Sequence, residues 1–388
     1  MANTQTRTQF LLWLGAAISI AEIVTGTLMA PLGLGKGFLA IVLGHLIGCL
    51  GFLLPAAYLG AKRHQSAIES TEFVFGRWGV LLFSCLNGLQ LLGWTAVMIV
   101  NAAQAMNGVS GQLFGHRNFV VMAVIIALLI GLWLWLDVKI LFKLNNVIVV
   151  ILLLGSLIVL GLVLHTGVTA GAISGQMSFG AAVELNVTMG LSWLPLIGDY
   201  TQQTKRPFTI SLASAGGYGL GSLLMFSIGL LLAARTGLDF ATFLTHSGLG
   251  LIALLIIIFS TVTTTFMDAH SAAVSLQNVW PKSNARVIAL IVTAVGLVIA
   301  LVASMQTYEN FLYFIGSIFT PLYTIVFVSY FVLKRPLPVW GNFMWWLLGV
   351  VGYYGLQHYD FVGGTTLLLA VLLGLLVWLS AKVQRTIV

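Results

Sequence analysis

The sequence predicts an all-α membrane protein of about twelve transmembrane helices, arranged as two repeats of five helices followed by two more. Three observations carry this prediction. The 388 residues are 59% hydrophobic and only 7% charged, where a soluble domain carries about 25% charged residues. The apolar runs are about 20 residues long, the length of a membrane-crossing helix, and not alternating ten-residue strands. Spans one and six both contain polar or helix-breaking interruptions, five spans apart.

With a window near 20 residues, the spans fall at 10–33, 37–60, 79–107, 117–136, 144–165, 182–200, 209–234, 248–275, 284–304, 309–332, 340–356 and 362–383. Residues 1–388 then form one transmembrane domain. Its first repeat is 10–165, its second 182–332, and 340–383 holds the two additional helices. Assigning alternate loops to alternate sides places Arg7, Lys62, Arg63, Arg77, Lys139, Lys143, Lys205, Arg206, Lys282, Arg286, Lys334, Arg335, Lys382 and Arg385 together. Only Lys36, Arg117 and Arg235 fall on the other side. The positive-inside rule puts both termini in the cytoplasm of a multi-pass cytoplasmic (inner) membrane protein. The net charge of +7 is therefore a topology signal and not a nucleic-acid surface. The first apolar run is too long for the core of a cleavable signal peptide. Cys49 and Cys85 both lie inside apolar runs and read as buried thiols, not a disulfide. The connection Lys62–Arg77, with Glu69 and Glu72, reads as a short surface helix.

Span one holds Ser19-Ile-Ala-Glu22-Ile-Val-Thr25-Gly26-Thr27. A carboxylate at Glu22 in mid-membrane costs about 2.5–3.5 kcal/mol. Thr25, Gly26 and Thr27 hold a helix poorly. One reading is that the helix unwinds here, so that Glu22 and freed carbonyls face a cavity. The other is a continuous helix with Glu22 tucked into a bundle interface. In span six, Pro195 lies between Gly190 and Gly198, and proline removes a backbone donor. Matching interruptions in two halves are the mark of a repeat whose broken helices form a site at the bilayer midplane.

Span three places Asn87, Gln90, Trp94, Met98 and Asn101 on one stripe, by steps of three and four. Amides and an indole either pack against another helix or line a site, where Trp94 offers a flat face to a planar ring. Span eight reads Ser260-Thr261-Val-Thr263-Thr264-Thr265-Phe-Met-Asp268-Ala-His270-Ser271. Each threonine taken singly could bond back to its own helix. Hydroxyls beside a second intramembrane acid suit a small hard cation such as Na⁺. His45 and His270 read as bundle hydrogen-bonders, with proton relay the minor alternative. Asp199 reads as a helix-end or gate residue, Glu184 sits near the other end of span six, and Glu309 favours a helix N-terminus. No Walker loop, zinc-protease helix or nucleophile elbow is present, and no voltage-sensing or filter motif. The chain reads as no enzyme and as needing no cofactor.

Gly93-Trp94, Leu191-Ser192-Trp193-Leu-Pro195-Leu-Ile-Gly198-Asp199-Tyr200-Thr201 and Thr263-Thr264 ahead of Asp268-Ala-His270-Ser271 resemble the nucleobase:cation symporter-1 family. Within it the chain is most similar to the hydroxymethylpyrimidine permease branch. The likeness covers nearly the whole chain, and the span-six segment is its most specific part. The resemblance implies a LeuT-type fold of five-plus-five inverted repeats, alternating access and cation-coupled uptake of a flat heterocycle by a monomer. It implies that Trp94 and Trp193 sandwich the ring and that Glu22 and Asp268 hydrogen-bond it, with Gln90 and Asn101 as further candidates. It also implies that Thr263 and Thr264, with the carbonyls of Ile18 and Ala21, hold Na⁺.

Two residues depart from the family pattern. Met98 stands where relatives often have an amide, and Asp268 where they commonly have asparagine or another neutral residue. Two acids near the ring suit an aminopyrimidine, whose amino group and ring nitrogen pair with a carboxyl group. That points to hydroxymethylpyrimidine, the thiamin precursor. Cytosine, another nucleobase or a hydantoin is the alternative substrate, protons the alternative ion, and a passive heterocycle channel the alternative mode.

Overall fold

Span one is two short helices, not one rod. In the computed structural model, which describes residues 5–136, 138–167, 175–302 and 308–387, α1 (Thr6–Ala17) and α2 (Ile20–Thr27) are separated by Ile18 and Ser19. The side chains of Lys139, Lys143 and Arg385 lie outside the described residues. Ile18 leaves the helix at φ −77°, ψ 82°, which frees its carbonyl from the helical ladder. Ser19 is extended, and its hydroxyl accepts from the Glu22 N–H at 3.4 Å, capping α2.

Of the two readings the unwound one holds, but the break lies at the start of the Ser19–Thr27 stretch, upstream of Thr25, Gly26 and Thr27. Those residues complete α2. The hydroxyls of Thr25 and Thr27 bond back to Ala21 O and Val24 O. Gly26 approaches Phe226 so closely that a Cβ would strike its backbone, and Gly229 meets Ile23 in the same way. Glycine here serves close helix packing and not unwinding.

A short turn leads into α3 (Gly33–His45), which passes through a π-helical stretch, Leu46–Leu53, into α4 (Leu54–Arg63). The connection 62–77 is not one surface helix. His64 ends α4 in the left-handed region, a 3₁₀ turn spans Glu69–Thr71, and α5 (Glu72–Phe114) begins at once. Gly76, at φ 63°, ψ −173°, kinks the start of α5, a conformation that a side chain would strain. Then come α6 (Phe119–Trp135) and α7 (Val138–His165).

The second half opens with another broken span, α8 (Phe179–Leu191) and α9 (Leu194–Thr201). Pro195 sits in the first turn of α9, where its missing N–H would have had no helical partner. It starts a helix and does not bend one. The chain continues through α10 (Pro207–Thr236), the short α11 (Phe240–His246), α12 (Gly250–Gln277) and α13 (Ala285–Val302). After these come α14 (Tyr308–Phe327), which runs into a π turn at Val328–Leu333, then α15 (Val339–Leu356) and α16 (Gly364–Ile387).

Helix packing repeats with an offset of five spans. α1 packs on α10, and α8 on α3; α5 packs on α6, and α12 on α13; α1 packs on α7, and α8 on α14. The central pair, α5 with α12, maps onto itself. Among the described residues, nine helical stretches are long and apolar enough to cross a membrane by length and composition. Twelve are not counted that way for three reasons. Ile20–Arg63 forms one stretch of 44 residues. α6 has only 17, and α15 is diluted by Trp, Tyr, Gly and Asn. Both cysteines are free, but Cys85 is exposed on the outside of α5 and only Cys49 is buried. An apolar run faces lipid as readily as protein, which hydropathy alone does not distinguish.

Candidate functional site

The two breaks meet at one cavity. Its lining comes from α1 and α2 (Ala16, Ser19, Ala21, Glu22), α5 (Trp94, Met98), the span-six break (Met189, Ser192, Trp193) and α12 (Thr264, Asp268). Its free volume is about 20 Å³, close to the room one water needs. A heterocycle must therefore move side chains to enter.

The span-six break is braced by side chains that bond the Ser192 carbonyl in the break and two carbonyls in the first turn of α9. Gln90 Nε2 donates to Ser192 O at 2.8 Å, Tyr323 Oη to Leu194 O at 2.8 Å, and Asn87 Nδ2 to Pro195 O at 3.1 Å. Asn87 also donates to Ser275 Oγ on α12 at 2.8 Å. Gln90 and Asn87 thus brace the break and do not line the cavity. Asn101 is buried, does not line the cavity, and leaves Nδ2 without a partner among the described residues.

Trp94 and Trp193 both line the cavity, each set in its own aromatic cluster. Trp94 meets Tyr308 and Phe311 edge-on, at centroid distances of 6.1 and 5.5 Å. Trp193 meets Trp13 at 5.4 Å and Tyr218 at 5.6 Å. The Trp94 indole N–H is buried without a partner among the described residues. Asp268, 4% exposed, has no hydrogen-bond partner among the described residues. An unpaired carboxyl beside an unpaired indole N–H is expensive in protein alone and apt for a polar ring.

Glu22 is differently placed. Its Oε1 accepts from Tyr218 Oη at 2.8 Å and its Oε2 from Ser222 Oγ at 2.6 Å, both on α10. Ser222 also lies 2.6 Å from His45 Nε2. Sequence reasoning passes over Tyr218 and Ser222. A signal was present: Ser211, Ser214, Tyr218 and Ser222 step along one face of α10 by three and four. His45 is a bundle hydrogen-bonder, as the sequence suggests. His270 is not. It makes no hydrogen bond among the described residues and stacks on Phe266 at 5.6 Å, 14° between planes.

Of the threonines on α12, Thr263 and Thr265 bond back to their own helix. Thr264 reaches across to Ala16 O at 3.2 Å. Ile18 follows Ala16 by two residues at the break, and the Ala21 carbonyl accepts from Thr25. Among the described residues no three His, Cys, Asp or Glu side chains cluster as a transition-metal site would require. Thr264 Oγ1 and the Ala16 carbonyl bring two hard oxygens together beside the α1–α2 break, the donor type that alkali and alkaline-earth cations take. Away from the cavity, Asp199 accepts from Ala67 N at 3.0 Å and ties the end of α9 to the loop after α4. Glu184 accepts from Tyr353, from Thr366 N–H and from the Thr366 hydroxyl, anchoring α15 and α16 to α8.

A family model described as permease for cytosine/purines, uracil, thiamine, allantoin matches residues 3–337. Among curated proteins none matches the chain. The solved structure of Mhp1, a nucleobase-cation-symport-1 family transporter in a closed conformation with bromovinylhydantoin bound, is similar at TM-score 0.80 and 17% identity. That likeness covers 98% of this chain and 93% of that one. The inward-facing conformation of Mhp1 is similar at TM-score 0.65 and 16% identity, covering 97% and 91%. A Na⁺-coupled sialic acid symporter in a substrate-bound outward-open state is similar at TM-score 0.72 and 14% identity, covering 96% and 88%. These likenesses establish the fold, a LeuT-type five-plus-five helical bundle. The chain superposes better on the closed state of Mhp1 than on its inward-facing state.

Proposed function

The chain belongs to the family of permeases for cytosine/purines, uracil, thiamine and allantoin, and on that premise we propose that it is a secondary active importer of an aminopyrimidine. The substrate proposed is hydroxymethylpyrimidine, carried inward with Na⁺ across the cytoplasmic membrane by a monomer with both termini inside. Residues 10–165 and 182–332 act as the two repeats, with 340–383 appended.

The observation that carries this reading is the convergence of Trp94, Trp193, Glu22 and Asp268 on one cavity between two broken helices. The indoles take the faces of a planar ring. Asp268, without a hydrogen-bond partner among the described residues, takes the edge that offers an amino group beside a ring nitrogen. Gln90 and Asn101, named as ring contacts from sequence, act on the ring only through the helices they sit on. The cation, held by Thr264 with Thr263 and the carbonyls of Ile18 and Ala21, links α12 to the α1–α2 break. Ring and cation together favour the closed bundle, which then opens inward.

The test is uptake by purified protein in vesicles. An inward Na⁺ gradient at fixed pH should drive labelled hydroxymethylpyrimidine above its equilibrium level. Accumulation driven by a proton gradient alone would replace Na⁺ with H⁺. Flux that never exceeds equilibrium would replace the importer with a passive channel. Competition by cytosine, uracil and hydantoins would rank the alternatives.

A further inference from the structure

The buried network behind Glu22 runs through three spans. His45 Nδ1 lies 2.8 Å from Ile41 O. A carbonyl only accepts, so Nδ1 carries a hydrogen and donates it. His45 Nε2 lies 2.6 Å from Ser222 Oγ, and Ser222 Oγ lies 2.6 Å from Glu22 Oε2. Tyr218 donates to Glu22 Oε1. The imidazole is held edge-on by Phe226 at 5.1 Å.

Ser222 has one hydroxyl hydrogen and two neighbours that both need to bond with it. If the hydrogen goes to Glu22, His45 Nε2 must carry its own hydrogen and donate to Ser222. If it goes to His45, Glu22 Oε2 must carry a hydrogen and donate to Ser222. Both arrangements hold the same number of protons, and each satisfies every contact. In neither does Glu22 turn a hydrogen toward the cavity. It shows the cavity lone pairs only, whichever residue carries the proton.

We infer that Ser222 and His45 are positioning residues that make Glu22 a hydrogen-bond acceptor toward the bound ring. The site then selects rings that present an exocyclic amino group to Glu22 over rings that present a carbonyl there. The pairing that needs both a donor and an acceptor falls to Asp268. This inference rests on the pyrimidine reading given above and narrows it to amino-bearing rings.

The test compares cytosine with uracil, which differ at position 4 by amino against carbonyl and at N3 by a bare ring nitrogen against N–H, using tryptophan quenching of the purified protein. The wild type binds cytosine more tightly. Ser222→Ala removes the acceptor that occupies the Glu22 hydrogen. His45→Ala leaves the Ser222 hydrogen no outlet but Glu22, which displaces Glu22's own hydrogen from that contact. Each change shifts the cytosine-to-uracil affinity ratio toward uracil by about tenfold, the scale of one mismatched buried hydrogen bond. The double variant shifts it no further, because both act on one chain of bonds. Ser222→Thr keeps the hydroxyl and keeps the wild-type ratio. A general packing role would weaken both rings alike. An unchanged ratio in Ser222→Ala and His45→Ala, with both rings still bound, overturns the inference and leaves the pyrimidine reading intact. If neither ring quenches the wild-type protein, the pyrimidine reading falls and takes the inference with it.

Discussion

Replacing Asp268 with asparagine should weaken substrate binding while leaving the protein as stable as before, or more so. Asp268 is 4% exposed, lines the cavity and has no hydrogen-bond partner among the described residues. Its carboxyl group therefore makes no hydrogen bond between helices among the described residues. Leaving a buried polar group unsatisfied costs about 1–3 kcal/mol, a cost that the neutral amide shares in part. The expected change in unfolding free energy for Asp268→Asn lies between zero and a gain of about 2 kcal/mol. Binding should respond in the opposite sense. A hydrogen bond from a charged or acid group is worth about 1.5–3 kcal/mol, which corresponds to roughly 10–150-fold in Kd. The assay is thermal unfolding and hydroxymethylpyrimidine titration on the same purified sample. A destabilised variant with unchanged affinity would refute the reasoning, because Asp268 would then be a structural residue and not a ligand for the ring.

Glu184 should behave in the reverse way. It accepts three hydrogen bonds, from Tyr353 Oη at 2.6 Å, Thr366 N at 2.7 Å and Thr366 Oγ1 at 2.7 Å. Glu184→Gln should cost about 1–3 kcal/mol of stability without changing ring affinity, as thermal unfolding and titration would show. Asn87→Leu leaves Pro195 O without the Asn87 donor. It should reduce uptake of every substrate by one common factor, read from a competition panel whose ranking does not change. Thr264→Val should raise the Na⁺ concentration for half-maximal uptake more than Thr263→Val does. Thr264 reaches across to α1, whereas Thr263 bonds to its own helix. Equal effects would remove Thr264 from the cation site.

The membrane class, the helical composition and the packing offset of five spans were legible in the sequence, because hydropathy and interruption are local signals. The break in span six was legible too, since Pro195 marks the start of α9. The break in span one falls at the N-terminal edge of the Ser19–Thr27 stretch and not at its weak-helix residues. Thr25, Gly26 and Thr27 read as weak helix, yet two threonine hydroxyls and one glycine contact with Phe226 keep them helical. A better signal was available in Ser19-Ile-Ala-Glu22, the pattern of a helix start. The stripe on span three was legible as a stripe but not as a division of labour. Trp94 and Met98 face the cavity while Asn87 and Gln90 face the carbonyls of the broken helix, a difference of one helical turn that only the neighbouring helices decide. Cys85 and His270 were misread for a related reason. Sequence records that a residue sits in an apolar segment, not whether lipid, a ring or a polar group lies against it. Tyr218 and Ser222 went unnoticed because their meaning depends on Glu22, about two hundred residues away in the chain.

The central claim is that a planar ring binds where the two broken helices meet. A structure of the purified protein with hydroxymethylpyrimidine bound tests it most directly. The account predicts the ring between Trp94 and Trp193, its amino edge within hydrogen-bond reach of Asp268 and Glu22, in a cavity enlarged by movement of the lining side chains. Density for the ring elsewhere, with Asp268 and the Trp94 N–H still unpartnered, would contradict it.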